Sequence, residues 1–473
     1  MTDSPRRVRE KGHNALYRNL GQGRFKDVTA QAGVGGDDWG CGVCAADFDN
    51  DGHVDLYVTN FGLNRLYRNR GNGTFEEVAE RTSVTTPGWN AGATFFDADG
   101  DGWLDLYVVK YIDCTFDDVL RGERTTVWQN TAKVMAGPFG QRGGKDWFLH
   151  NNRDGTFSGT TDKVRMTDTA ESYGLGVVAS DLDGDGDVAN DSNPNFLYRN
   201  DGKGTFTEIG GWSGAGVTAD GRPQGSMGID AADFDGDGLQ EILVTNFALD
   251  YCTLYKNEGQ LFFSDISASQ RMKDFTYAQI SWSCAFLDYD LDARLDLLIL
   301  NVHIYPQVDA CLTLHETYKQ LPTLLHNVGG KLWDVSRQSG SGLQLAESMR
   351  GVAVGDDDGK PDLLITAMDT RPLLLHNETA TRGHWAKVRL LNRHGSPAIN
   401  ATTRLTSGGV TQLREVRSGS TYCPQNSFDP HFGLGAASEI QTLEIHWPGG
   451  QVSVERGLAV DQTHTFREPA HEP

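Results

Sequence analysis

The feature that most constrains the fold is a nine-residue acidic loop that recurs along the chain. Its first copy is Asp47-Phe-Asp49-Asn-Asp51-Gly52-His-Val-Asp55, with carboxylates at positions 1, 3, 5 and 9 and glycine at position 6. A hard cation such as Ca²⁺ takes roughly six to eight oxygens, which a tight loop with this spacing supplies. Gly52 permits the sharp turn, and the carbonyl of His53 adds a ligand. A β-type run, Leu56-Tyr-Val-Thr, follows directly, and position 12 is Val58 rather than glutamate. The loop therefore joins two strands and is not an EF-hand.

The other copies carry Asp97, Asp99, Asp101 and Asp105, then Asp233, Asp235, Asp237 and Glu241, then Asp288, Asp290, Asp292 and Asp296, the last set with Ala293 where the others have glycine. Asp181, Asp183 and Asp185 begin a copy that lacks the ninth carboxylate, and Asp356-Asp357-Asp358-Gly359 is about two residues short. Repetition at fixed spacing predicts structural calcium at these residues rather than a set of solvated acidic turns.

Each acidic loop heads a longer module. A glycine-containing apolar run precedes it, a Leu-Tyr-Val-type strand follows, then a Leu-Tyr-Arg-Asn-type strand and a strand beginning Thr-Phe or similar. Four short strands repeating about every 50 residues are the pattern of propeller blades, each of which buries its faces only against its neighbours. Residues 1–378 are predicted to form an all-β propeller. Six acidic loops against seven Leu-Tyr-Arg-Asn-type elements leave six or seven blades open. The two ends are expected to pair with each other and close the ring, which removes exposed sheet edges. After Gly186 the expected apolar second strand is replaced by Val188-Ala-Asn-Asp191, so that module reads as lacking a strand. Long insertions at Lys110–Asp146 and Asn301–Pro322 read as ordered functional loops.

The formal net charge of −22 argues against a nucleic-acid or anionic-membrane partner, although much of the excess belongs to the acidic loops. No apolar stretch of about 18 residues is present and no secretory leader is visible at the N-terminus. Seven cysteines without framework spacing suggest reduced thiols in a cytoplasmic protein. Cys41 and Cys44 form a lone C-x-x-C within a predicted strand, where the two face opposite ways.

Beyond a polar linker at 379–383, residues 384–468 alternate as short strands around turns at Ser407-Gly-Gly409 and Pro448-Gly-Gly450, which predicts a small β-sandwich-like domain. Here motifs carry a resemblance. Arg414-Glu-Val-Arg-Ser-Gly-Ser-Thr-Tyr422, Gln425-Asn426, His431-Phe-Gly-Leu-Gly435 and Leu443-Glu-Ile-His-Trp-Pro-Gly-Gly450 resemble the ASPIC/UnbV domain. The acidic-loop modules resemble FG-GAP/VCBS repeats, which also build the propeller of integrin α chains. The combination is similar to the cartilage acidic protein family and its bacterial relatives. The resemblance implies a seven-bladed ring. Because the UnbV name comes from enediyne antibiotic gene clusters, it also implies natural-product biosynthesis.

In such a module the starts of the inner strands and both long insertions gather at the propeller face opposite the acidic loops. Trp39, Trp89, Asn90, Tyr173, Gln224, Gln279, Trp282 and Tyr305 are expected there to bind a flat polycyclic ligand. Glu171 and Glu347 are the expected acid–base pair, with His303 and His315 as alternates. No dinucleotide fingerprint, P-loop, nucleophile elbow or His-Glu-x-x-His motif occurs, so no organic cofactor is expected. Two function classes stay open. One is a cofactor-free acid–base enzyme that cyclises or closes a C–C bond on an aromatic polyketide intermediate. The other is a non-catalytic, calcium-stabilised binding, scaffold or sequestering protein, which leaves room for a protein partner.

Overall fold

The computed structural model describes residues 12–115, 117–118, 125–138, 140–166, 172–182 and 185–470. Short antiparallel sheets follow one another around an axis, as the repeats predict. Blade 1 is Trp39–Ala46, Asp55–Phe61, Arg65–Asn69 and Phe75–Glu77; blade 2 is Trp89–Phe96, Asp105–Ile112, Trp147–Asn151 and Phe157–Gly159. Blade 3 runs Gly174–Ser180, Asp185–Asn193, Phe196–Asn200, Phe206–Glu208, and blade 4 runs Ile229–Ala232, Glu241–Val244, Thr253–Asn257, Phe263–Asp265. Blade 5 is Ser281–Leu287, Asp296–Asn301, Thr323–Val328 and Lys331–Asp334, and blade 6 is Met349–Asp356, Pro361–Ala367 and Leu373–Leu375.

Two sequence expectations are corrected here. Blade 3 keeps its second strand, since Gly186–Val188 pair with Val177–Ala179 on one side and Phe196–Tyr198 on the other. Neighbours on both sides supply the ladder, so backbone pairing overrides weak strand propensity. The chain ends also do not share a sheet. Among the described residues, Tyr17–Asn19 pairs only with Phe25–Asp27, and blade 6 ends at its third strand. Apart from the hairpin Thr125–Trp128/Ala132–Met135 and the short strand Gln224–Gly225, the described strands make six blades and the two outer strands of a further one.

Apolar residues from facing sheets fill the layers between blades. Phe96, Tyr107 and Phe148 of blade 2 meet Val177 and Tyr198 of blade 3, and Leu243 and Leu254 of blade 4 meet Cys284, Leu297 and Ile299 of blade 5. The last face of blade 6 has no such layer: Leu364 and Leu374 are 47% and 40% exposed. The recurring asparagine of the third strand ties blade to blade. Asn151 Nδ2 donates to the Phe48 carbonyl of the preceding acidic loop at 2.9 Å, Asn200 Nδ2 to Ala98 at 2.7 Å, and Asn377 Nδ2 to Tyr289 at 2.8 Å.

Inner strands approach one another backbone to backbone, which explains their glycines. A Cβ on Gly176 would lie 2.7 Å from the Met227 carbonyl, and one on Gly228 only 2.0 Å from that of Trp282.

The C-terminal domain is a sandwich of two sheets. One has the order His431–Gly435, His384–Leu391, Gln462–Arg467; the other has the order Val410–Glu415, Thr402–Ser407, Glu439–His446, Val452–Ala459. It stands on the acidic-loop face. Asp97 donates its N–H to Asn400 Oδ1 at 3.1 Å, Gly435 donates its N–H to the Leu291 carbonyl at 2.9 Å, and Lys387 pairs with Asp356 at 2.7 Å. Its core is continuous with that between blades 1 and 2.

From this domain residues 415–427 descend along the propeller axis and touch the inner strand of every blade. Val43 N–H donates to the Cys423 carbonyl at 3.0 Å, Ala45 N–H to Gln425 Oε1 at 2.7 Å, and Thr94 Oγ1 to the Ser418 carbonyl. Glu415 accepts from Ser180 Oγ at 2.6 Å, Arg417 pairs with Asp230 at 3.2 Å, Ser283 Oγ accepts from Tyr422 N–H at 3.4 Å, and Asn426 Oδ1 accepts from Val354 N–H at 2.9 Å. The channel is therefore plugged by the second domain.

Asp230 is buried and depends on Arg417 for its counter-charge, while burial pushes its pKa upward. Arg417→Met, which strands that charge, is expected to destabilise the fold by about 3–5 kcal/mol. Denaturant unfolding followed by tryptophan fluorescence checks this, and an unchanged midpoint would show that the plug carries no stability.

Candidate functional site

At the acidic loops the local chemistry repeats closely. The position-1 carboxylate caps the turn: Asp47 accepts from the N–H groups of Asp51 and Gly52 at 3.0 and 2.9 Å, Asp97 from Asp101 and Gly102 at 3.1 and 2.8 Å, and Asp288 from Asp292 and Ala293 at 3.0 and 2.8 Å. Ala293 takes φ 72°, beside 87° at Gly52 and 85° at Gly102, so the loop without glycine keeps the same left-handed turn. The position-9 carboxylate ties the loop to the third strand, with Asp55, Asp105 and Asp296 accepting from the N–H groups of Asn69, Asn151 and Asn327 at 2.6, 2.8 and 2.7 Å.

These hydrogen bonds leave oxygens over. Buried Oδ1 atoms of Asp49, Asp99 and Asp290, each at position 3, have no hydrogen-bond partner. Carboxylate oxygens of Asp47, Asp49 and Asp55 lie within 4.8 Å of one another, as do those of Asp97, Asp99 and Asp101, of Asp233, Asp235 and Glu241, and of Asp288, Asp290 and Asp292. Asp296 groups with Asp290 and His326, its Oδ1 being 2.9 Å from His326 Nδ1. Burial pushes Asp55, Asp105 and Glu241 up to about 8, and raises Asp288 well above the usual carboxylate range. Arg68 supplies part of the counter-charge in the first loop, at 2.8 Å from Asp51, and Lys256 does so at Asp237, also at 2.8 Å. Crowded, all-oxygen, partly unpartnered donors of this kind fit a hard divalent cation such as calcium. The degenerate copies differ. Asp181 is exposed and gives its N–H to Glu415 of the plug, and Asp356 holds Lys387. Asp183 lies outside the described residues, as does the side chain of Asp185.

At the opposite end of the axis lies a cavity of about 2150 Å³, floored by Tyr422, Cys423 and Pro424 at the tip of the plug. It opens sideways into the space between blades 6 and 1, where Asn14, Leu16, Val58 and Thr366 line it. Aromatic rings dominate its wall. Trp39, Phe61, Trp89 and Tyr111 form a chain with centroid separations of 6.2, 5.3 and 5.4 Å. Across the cavity, Trp128 of one insertion meets Phe247 at 5.6 Å and Tyr305 of the other insertion at 5.8 Å. Trp282 packs on Tyr422 at 5.0 Å and donates its Nε1–H to the Val302 carbonyl at 2.9 Å.

Four of the expected ligand contacts therefore line the cavity: Trp39, Trp89, Trp282 and Tyr305. The polar candidates stand behind the wall, bound to the protein itself. Asn90 Nδ2 donates to the Thr86 carbonyl at 3.0 Å, Gln224 Nε2 to Asp250 at 2.5 Å, and Tyr173 Oη to the Gln141 carbonyl at 2.9 Å; Gln279 Oε1 accepts from Thr323 Oγ1 at 3.1 Å. The acid–base candidates are also placed elsewhere. Glu347 pairs with Lys319, His315 is exposed, and Glu171 lies outside the described residues. His303 is fully buried, its Nδ1 accepting from Tyr305 N–H at 3.0 Å and its Nε2 3.4 Å from Glu316; burial, only partly offset by Glu316, drives its pKa down to about 4. It pins the two insertions together through Trp128, whose Nε1–H donates to Glu316 at 2.8 Å. Cys41 faces the cavity, but burial pushes its thiol up to about 12, far from thiolate reactivity. The residues that sequence reasoning missed are Arg350, Trp128, Phe247 and the plug tip. Only Tyr422 carried a signal, as part of the C-terminal motif.

Residues 392–473 match the ASPIC and UnbV family model, and residues 8–58, 47–108 and 188–244 match a model of FG-GAP-like repeats. Cartilage acidic protein 1 of Xenopus tropicalis is 26% identical over 270 residues, which is 56% of this chain and 39% of that protein. The Homo sapiens protein of the same name is 27% identical over 288 residues, covering 59% and 40%. The matched stretch thus spans about two fifths of the length of these relatives. An Agrocybe aegerita lectin that recognises non-reducing terminal N-acetylglucosamine aligns with a TM-score of 0.41 at 15% identity, over 78% of this chain and 91% of that one.

The buried acidic-loop carboxylates make a test of metal binding with a definite sign. With folded-state pKa values of about 8 at Asp55, Asp105 and Glu241, the metal-free fold binds more protons than the unfolded chain, whose carboxyls titrate near about 4. Its stability falls as pH rises between those values, while calcium, which displaces the protons, binds better over the same range. Calcium at about a hundredfold over its Kd is expected to add about 2.7 kcal/mol per site. The gap in Tm between calcium and EGTA should widen from about pH 6 to about pH 8.5. Equal melting curves with and without calcium would overturn the metal assignment.

Proposed function

We propose that this protein of FG-GAP-like repeats plugged by an ASPIC and UnbV domain binds a flat, mainly apolar aromatic small molecule at its channel mouth. The observation that carries the reading is the convergence of aromatic rings from blades 1, 2 and 5, both insertions and the plug on one cavity of about 2150 Å³. Aromatic walls of this kind add stacking to simple area burial. The ligand class we favour is a polycyclic polyketide intermediate of the enediyne type, which the UnbV-type domain supports. Calcium in the acidic loops acts as a structural cofactor that holds the scaffold.

Binding or sequestration is favoured over acid–base conversion. Among the described residues, Glu347, His303 and His315 do not line the cavity, and the carboxylates that do are engaged. Asp38 pairs with Arg65 at 2.6 Å, Asp113 with Lys110 at 2.6 Å, and Asp250 accepts from Gln224 at 2.5 Å.

Anthracene-9-carboxamide, a neutral flat probe, should quench the tryptophan fluorescence of the full chain in a saturable way. Trp89→Ala is expected to weaken it about tenfold, the equivalent of losing one aromatic contact. A Kd unmoved by this substitution, at unchanged Tm, places the ligand elsewhere. Turnover of an authentic intermediate by the purified protein would restore the enzymatic reading.

A further inference from the structure

The cavity floor carries a charge without a counter-charge. Arg350, at the start of the inner strand of blade 6, lies half-buried on that floor. Its guanidinium sits 3.5 Å over the Trp282 ring, and its Nε–H points at Met368 Sδ at 2.9 Å. A thioether is a weak acceptor. Tyr422, Tyr318, Cys423 and Tyr111 are its other neighbours, and among the described residues it makes no ion pair. Of the cavity carboxylates, Asp38 is committed to Arg65, Asp113 to Lys110, Asp118 to Thr115 and Asp250 to Gln224. The other arginine on the axis, Arg417, is paired with Asp230.

A guanidinium removed from water costs free energy unless a charged or hydrogen-bonding partner replaces the lost hydration. Trp282 replaces part of it from one face, and desolvation still lowers the pKa of Arg350. The in-plane N–H groups are the part of the side chain suited to a planar, two-oxygen acceptor.

We propose that Arg350 is the anion-recognition residue of the cavity, and that its ligand is a flat aromatic compound bearing a carboxylate. The ring system lies along the tryptophan wall while the acid group reaches the floor and bonds the free edge of the guanidinium. This rests on the channel-mouth binding reading and adds the charge of the ligand to it. It also sets Arg350 apart from a structural arginine, whose removal would affect acidic and neutral ligands alike.

The test compares anthracene-9-carboxylate with its neutral carboxamide on the full chain. The acid is expected to bind at least about tenfold tighter, as a charge-assisted hydrogen bond implies. Arg350→Met should weaken the acid at least about tenfold more than the carboxamide, so that the two Kd values converge. Arg350→Lys, which keeps the charge but not the fork, should retain part of the preference and serves if the methionine variant does not fold. If both probes bind the native protein equally and neither variant changes their ratio, the role of Arg350 is overturned while the aromatic site stands. If neither probe binds, the site itself is wrong and the proposal falls with it.

Discussion

The structure depends on the close approach of inner-strand backbones around a single polar peptide. A propeller axis is an unfavourable place for irregular backbone, because each buried N–H and C=O needs a partner. Residues 415–427 meet that demand by spreading their polar groups over the inner strands of all six blades. Thr421 and Cys423 hold φ 62° and 70°, left-handed values that cost about 1–3 kcal/mol each outside glycine. They persist because strands on every side fix the path. The glycines at Gly176 and Gly228 belong to the same constraint, since a side chain there would push adjoining blades apart.

Charge and aromaticity are separated along the axis. One end carries the acidic loops with the C-terminal domain standing on them, and the other carries the aromatic cavity. The plug connects the two ends, bringing Glu415 and Arg417 to the blades on the acidic side and Tyr422 to the cavity floor. The domains are therefore parts of one site, and the cavity has no floor without the second domain.

What was legible in the sequence was whatever local chemistry repeats. The nine-residue acidic spacing, the strand alternation and the recurrent asparagine each follow from the geometry of one blade, so the strands of the regular modules could be read directly. Even Ala293 could be read as a loop residue from its neighbours, and it adopts the expected left-handed turn. Tryptophans near inner-strand starts were legible for the same reason, since Trp39 and Trp89 occupy equivalent places in their blades and Trp282 lies two residues further along its own. Polar residues beside them were not, because Asn90 and Gln224 are claimed by hydrogen bonds that only the assembled blade creates. Ring closure, the second strand of blade 3 and the uncompensated charge of Arg350 depend on contacts between distant segments. No window of sequence contains both Arg350 and Tyr422.

The plug also bears on the order in which the molecule can come into being. Synthesis runs from the N-terminus, so all six blades leave the ribosome before the peptide that occupies their axis. Until residues 415–427 arrive, the inner strands have no axial partner. The segment that fills the axis is thus the last of these parts to be synthesised. Native structure is completed only after translation has passed the whole propeller, and a chain cut short before the second domain carries every blade yet no axle.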